Sequence, residues 1–155
     1  MFECFKSLFL DESDSLAAFA GNDARLAAAT LLVEAAMVDG ALDGDERGRI
    51  VTLLGEHFGL PETEADRLLA KASAVQERSN QLYPFAKVIV DKFEALQRIE
   101  VIEMLWEVVF ANNRQHDFKA SLVRRVAGLI FVSDHDSGAA RQRAMARLGL
   151  AGPVA

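Results

Sequence analysis

The feature that most constrains the fold is the run from Leu26 to Val38, in which Glu34 is the only charged residue. Asp23 precedes this run and is a good N-cap, so the sequence predicts one helix from Asp23 through Val38. A helix that is apolar on nearly every side belongs at the centre of its domain. The rest of the chain must therefore supply the helices that surround it.

An acidic turn, DGALDGDE at residues 39–46, follows this run directly. Asp43 and Glu46 have the spacing of a capping box that opens the next helix. With Asp39, the same two residues could also give carboxylate oxygens to a divalent cation such as Ca²⁺. The turn is not an EF-hand loop, because Ile50 stands where that loop needs a glutamate. A purely structural turn and a metal site at Asp39, Asp43 and Glu46 both stay open.

Composition and apolar spacing together predict an all-α protein. Of the 155 residues, 51% are hydrophobic, 26% are charged and only three are proline, which favours one globular helical domain. Residues 1–22 are predicted to be an N-terminal amphipathic segment and linker, 23–150 the helical domain, and 151–155 a tail. The expected architecture is a single-domain bundle of seven to eight helices.

Apolar residues at helical spacing locate the later helices. One is predicted from about Ala95 to Ala111, with Leu96 on its apolar side and Glu103 on its polar side. The last helix is expected to begin after a cap from Ser133 or Asp134. Between these two, a helix is marked by an apolar stripe of Phe118, Leu122, Val126 and Leu129. Trp106 and the phenylalanines, at the same kind of spacing, are predicted to be core residues.

A weak internal repeat links the two halves of the chain. Glu34 aligns with Glu107 and Asp39 with Asn112 at one constant offset (107 − 34 and 112 − 39 are both 73). Each half is then helix, polar turn, helix. Repetition of this kind normally produces a bundle of two pseudo-twofold-related helix-turn-helix halves.

The repeat also places Glu34 and Glu107 at equivalent positions on the two most apolar helices. A buried carboxylate must be paired or protonated, and the sequence offers Arg25, Arg124 or Arg125 as partners. Two interpretations stay open: a structural pair that fixes how the halves meet, and a carboxylate site for a metal or for acid-base chemistry.

On these residues the chain resembles the TerB-like (tellurite resistance protein B) family. The matching segments are 33–43 with Glu46, then 105–108 and 122–127, and the resemblance extends from about Arg25 to Leu150. It implies an all-helical domain, cation binding by an Asp-Gly acidic turn in each half, and a role in metal or tellurite stress response near the membrane.

The second turn of this chain departs from the family pattern. Asn112 and Asn113 replace the Asp-Gly pair, and Lys119 stands opposite Glu46 in the repeat. Any cation site must therefore depend on the first turn, helped at most by three residues of the second: Asn112, His116 or Asp117.

Charge and motif content exclude several classes of function. The net charge of −6 argues against a nucleic-acid partner, and the single cysteine, Cys4, is typical of the reducing cytosol. No catalytic motif is present, and the three histidines, His57, His116 and His135, are predicted to be surface or helix-end residues. We therefore expect a protein that is not an enzyme and has no small-molecule substrate that the sequence identifies.

Residues 1–10 carry one apolar helical stripe: Phe2, Phe5, Leu8 and Phe9. It could cap the core, dock onto a protein partner, or lie on a membrane surface. The sequence thus predicts a cytoplasmic module, peripheral at the membrane in the last case, that binds a cation through one acidic turn. The alternative is a docking adaptor whose acidic turn is structural.

Overall fold

The computed structural model describes residues 23–39, 42, 44–78, 81–111 and 116–149. Over these ranges the chain forms helices and no strand, which confirms the all-α prediction. The α-helices are α1 (Ala24–Ala36), α2 (Gly44–Phe58), α3 (Glu62–Arg78), α4 (Tyr83–Lys92), α5 (Ala95–Ala111), α6 (His116–Leu129) and α7 (Asp134–Arg147). A short 3-10 turn, Met37–Asp39, follows α1.

Helix α1 is the centre of the domain, as predicted. The Asp23 carboxylate caps it by accepting hydrogen bonds from the backbone N–H groups of Arg25 at 2.9 Å and Leu26 at 3.2 Å. Every α1 residue except Arg25 and Glu34 is buried. Helices α2, α3, α4, α5 and α6 all pack against it. Because no side of α1 faces away from other helices, its apolar surface is removed from water on all sides.

Helix α5 has the predicted bounds but not the predicted polarity. All residues from Val101 to Val109 are buried, and this stretch includes Glu103. Leu96, expected on the apolar side, is 81% exposed. The two-sided prediction was wrong at Leu96 and Glu103, and Glu103 is buried because α5 packs against α1, α2, α6 and α7. Its glutamates therefore need partners inside the protein.

The aromatic residues divide between core and surface. Trp106 is buried, as predicted, and its Nε1–H donates to Ser137 Oγ at 3.2 Å. Phe118 and Phe131 are 68% and 75% exposed, so their assignment to the core was wrong. In the first turn of α6 the buried position is taken by Lys119 instead of Phe118. The helix itself was predicted correctly, because Leu122 and Val126 of the predicted stripe are buried and Leu129 is partly buried.

Several sequence predictions fall outside the described ranges. The amphipathic segment 1–10, Asp43 and the tail 151–155 are among them. Ser133 does cap α7, since its Oγ accepts from the Asp136 N–H at 3.1 Å. The twofold relation between the halves stays a prediction. Within the described ranges, no helix has the length and apolar character that a bilayer span requires.

The central place of α1 predicts how two leucine truncations will differ. Leu32→Ala, at a fully buried α1 position, should lower the free energy of unfolding by about 2–5 kcal/mol, because it leaves a cavity in the core. Leu96→Ala, at an exposed position of α5, should change it by less than about 0.5 kcal/mol. Urea unfolding of both variants measures the difference, and similar losses would contradict the described burial.

Candidate functional site

Three glutamates of α5 form a row that contacts side chains of the neighbouring helices. Glu100, Glu103 and Glu107 are three and four residues apart, a spacing that puts side chains on one face of a helix. Glu103 and Glu107 are buried, and Glu100 is partly exposed. Their partners come from α2 and α7, so side chains of other helices meet the negative charge of this row.

His57, in the last turn of α2, bridges two of these glutamates. Its Nδ1 lies 2.7 Å from Glu100 Oε2 and its Nε2 lies 3.2 Å from Glu107 Oε2, and the side chain is only 4% exposed. A neutral imidazole can donate one of these hydrogen bonds, whereas the imidazolium donates both. Burial disfavours the charged ring, but the hydrogen bonds and charges of Glu107 and Glu100 outweigh it and raise the pKa of His57.

Two arginines of α7 complete the network. Arg143 Nε donates to Glu103 Oε1 at 2.6 Å. Arg147 has carboxylates of three glutamates around its guanidinium: Glu56 at 2.8 Å, Glu107 at 3.4 Å and Glu103 at 3.9 Å. Arg147 therefore joins α7 to both α2 and α5. Its planar guanidinium suits this role because it presents several N–H donors in different directions.

We refer to this network as the polar clasp, defined as Glu56, His57, Glu100, Glu103, Glu107, Arg143 and Arg147. It lies between two cavities of about 800 Å³ and 540 Å³, both of which it helps to line. Gly44, Gly48 and Thr52 of α2 form part of the wall of the larger one. Since the carboxylates of the clasp are matched by cationic side chains from other helices, its first effect is to hold α2, α5 and α7 together.

Two of the three residues of the predicted cation site lie within the described ranges. Asp39 ends the 3-10 turn after α1, Asp43 lies outside the described ranges, and Glu46 is buried in the first turn of α2. Glu46 Oε2 lies 3.6 Å from Nζ of Lys119, a lysine that is 0% exposed. Among the described residues this Nζ has no hydrogen-bond partner. Lys119 thus places a positive charge of the protein itself close to Glu46.

This arrangement bears on whether a metal fits the turn. A hard cation needs several oxygen ligands converging on one point. The described part of the turn offers one carboxylate that faces an ammonium, and no three His, Cys, Asp or Glu residues within the described ranges are placed to hold a metal ion. The described donors do not by themselves make a cation site.

The two glutamates singled out by the repeat have separate partners. Glu34 is half-buried, and its Oε1 accepts a hydrogen bond from Gln76 Nε2 at 3.2 Å. Glu107 pairs with His57 and Arg147. The predicted partners, Arg25, Arg124 and Arg125, all have exposed side chains. The prediction that Glu107 takes one of them was therefore wrong.

Sequence reasoning missed the residues that complete these contacts. His57 was predicted to be a surface or helix-end residue; it is near a helix end but buried. Lys119 carried a usable signal, because it stands at the offset of 73 from Glu46 (119 − 46) and its place in the buried stripe of α6 demands a partner. Arg147 lies near the end of a helix whose spacing was weak, and nothing in the sequence connects it with Glu107.

The fold and the paired charges define the class of protein: a helical module in which buried ionic contacts join the helices. The family model described as "Tellurite resistance protein TerB" matches residues 25–142, so the chain belongs to the TerB family and the predicted resemblance is confirmed. No curated protein and no solved structure matches the chain.

The His57 bridge predicts a pH-dependent stability. Because the pKa of His57 is raised in the folded protein, the bridge stabilises the fold fully below the unfolded-state pKa of about 6.5 and loses this contribution as pH rises through the folded pKa. His57→Gln removes the titrating ring and leaves Glu107 with a poorer partner, at a cost of about 1–3 kcal/mol at low pH.

The measurement is the free energy of unfolding of wild type and His57→Gln by urea between acidic and mildly alkaline pH. The difference between the two should shrink as the pH rises. His135→Gln is the control, because His135 is exposed and its substitution removes an imidazole without touching the bridge. A difference that stays constant with pH would show that His57 is not held as the imidazolium.

Proposed function

We propose that this TerB-family domain is a non-catalytic module that binds a divalent cation at its first acidic turn, in competition with Lys119. One observation supports the proposal above the others. Glu46, a member of the predicted site, is buried with an ammonium 3.6 Å away. A carboxylate in that position already lies close to a positively charged ammonium, and a metal ion could take the place of that ammonium.

The competition follows from charge. Two unit charges about 4 Å apart interact by about 4 kcal/mol at the effective dielectric near a protein surface. A divalent ion bound to Glu46 would repel the Lys119 ammonium at least as strongly, so the ion must displace it. Asp39 and Asp43 are the other ligands that we assign to the ion. Because displacing a buried lysine costs energy, we expect a weak site that responds to high cation concentrations.

The first test removes the Lys119 ammonium, which competes with the metal ion. Lys119→Met keeps an apolar stem of similar length but leaves Glu46 buried without its ammonium. Breaking a buried ion pair in this way should destabilise the fold by about 3–5 kcal/mol. Added Ca²⁺ should recover much of this loss, and the variant should bind Ca²⁺ at least about 10-fold more tightly than wild type, since the repulsion is gone.

Calorimetric titration with Ca²⁺, Mg²⁺ and Zn²⁺, together with thermal unfolding at each concentration, makes the measurement. Glu46→Gln in the Lys119→Met background should abolish the gain, and Asp39→Asn should weaken binding in every background. Absence of heat with all three ions in both wild type and Lys119→Met would refute the cation site. Equal affinity in these two proteins would refute only the competition.

We extend the proposal to physiology through the family. Membership of the TerB family supports a role in metal or tellurite stress, which a cation-responsive module could serve. If so, cells that carry the Asp39→Asn form should lose tellurite tolerance as fully as cells without the protein, at equal protein levels. Unchanged tolerance would contradict a role of the Asp39 site in tellurite resistance.

A docking role for residues 1–10 is the alternative, supported by their stripe of Phe and Leu. Deleting residues 1–10 should leave thermal unfolding of the helical domain within about 2 °C of wild type if the segment serves docking. A loss of many degrees would instead show that the stripe caps the core. Differential scanning calorimetry distinguishes the two results.

A further inference from the structure

We propose that the outer face of α6, together with Phe131 just beyond its end, is a docking surface for an anionic lipid bilayer. We call it the α6 face and define it as Phe118, Ser121, Arg124, Arg125, Gly128 and Phe131. All six residues are exposed. The inference is independent of the acidic turn and of residues 1–10.

Phe131 occupies a backbone position that disfavours it. The N–H of Val132 donates to the carbonyl oxygen of Ala127 at 2.9 Å, and the N–H of Phe131 reaches that of Gly128 at 3.5 Å. This pair of bonds is the Schellman ending of a helix, in which the residue after the C-cap adopts the left-handed conformation and is usually glycine. Phe131 has that conformation, with φ of 58°.

The other left-handed helix ends of the described ranges follow the rule. Gly59 after α2 has φ of 65°, and Gly149 after α7 has φ of 71°. Only at the end of α6 does a side chain take this place, and a residue with a Cβ pays a steric penalty there that glycine avoids. Phe131 is 75% exposed, so its ring gains little from burial within the domain to offset that penalty. A contact outside the domain accounts for a large apolar ring held there.

Phe118, in the first turn of α6, provides a second exposed ring. It lies thirteen positions before Phe131 in the sequence, which corresponds to roughly 20 Å along a helix. Residues at i, i+3, i+7 and i+10 share one side of a helix, and from Phe118 these are Ser121, Arg125 and Gly128. The stripe therefore begins with the ring of Phe118 and continues with small or cationic side chains, and Phe131 follows just beyond the C-terminal end of the helix.

The charge of the α6 face differs from that of the whole chain. Arg124 and Arg125 are exposed, and within the described ranges neither has an ion pair. Lys119 is committed to Glu46 inside the protein. In a chain with a net charge of −6, two neighbouring arginines beside exposed rings favour an anionic surface, whose potential attracts each basic residue.

The shape of the face favours a bilayer over a peptide. A bound peptide needs walls on both sides, but a Cβ added at Gly128 would meet nothing within 4 Å. The exposed side of a helix is convex, which suits contact with a flat surface. Phenylalanine rings that enter the headgroup region while arginines stay with the lipid phosphates are the usual arrangement of interfacial helices.

The experiment is co-sedimentation of the full chain with vesicles of phosphatidylcholine, alone or mixed with phosphatidylglycerol. Wild type should bind the mixed vesicles and release them at high salt. Phe131→Gly should raise the thermal midpoint by about 2–4 °C, because it removes the backbone penalty, and should weaken binding by about 10-fold, because it removes one inserted ring. Arg124→Gln with Arg125→Gln should weaken binding to mixed vesicles by about 10-fold or more.

Leu96→Ala is the matched control, since Leu96 is equally exposed but lies on α5; it should leave binding unchanged. Four results would overturn the proposal: no binding of wild type to mixed vesicles, equal binding by wild type and Phe131→Gly, a lower thermal midpoint in Phe131→Gly, or binding that depends only on residues 1–10. Binding of polyglutamate peptide, with none to vesicles, would assign the face to an acidic protein instead.

Discussion

Helix α1 is apolar on nearly every side, and the rest of the domain is arranged to cover it. Each leucine buried along it contributes roughly 1.5–3 kcal/mol, but only if other helices cover every side. Five helices do so. One of them, α5, also packs against α7, and Glu103, which the sequence pattern assigned to its solvent side, is buried. The packing around α5 thus encloses the carboxylates of Glu103 and Glu107.

Those glutamates explain the ionic contacts. Glu103 and Glu107 are matched by α7 arginines and by His57, and Glu46 is matched by Lys119, in each case from another helix. The free energy lost by desolvating such a pair is nearly as large as the free energy gained from its attraction, so its net contribution to stability is small. Their effect on specificity is larger, because a shifted arrangement of helices would leave a buried charge alone. The apolar contacts thus stabilise the domain, and the ionic contacts select one packing of it.

Local signals in the sequence were enough to predict the helices and their caps. Asp23 and Ser133 act within their own turns, and the apolar run of α1 implies its own burial. The signals failed where burial depends on what packs from outside. Glu103 is buried and Leu96 is exposed, which is the opposite of the prediction. The spacing of residues along α5 does not reveal how many helices surround it. His57 and Arg147 are 90 residues apart in the sequence (147 − 57), and only the packing of α2 and α7 on α5 brings both to Glu107.

The repeat gives the contact between Glu46 and Lys119 a further meaning. The predicted repeat aligns these two residues at the offset of 73, and in the structure their charged groups lie 3.6 Å apart. The family resemblance places acids in both turns, and two buried carboxylates at that distance could coexist only with a proton or a bound cation between them. A lysine in the second half supplies the positive charge through the chain itself. Lys119 therefore places a positive charge of the protein beside Glu46, and the cation that we propose for the first turn would compete with it.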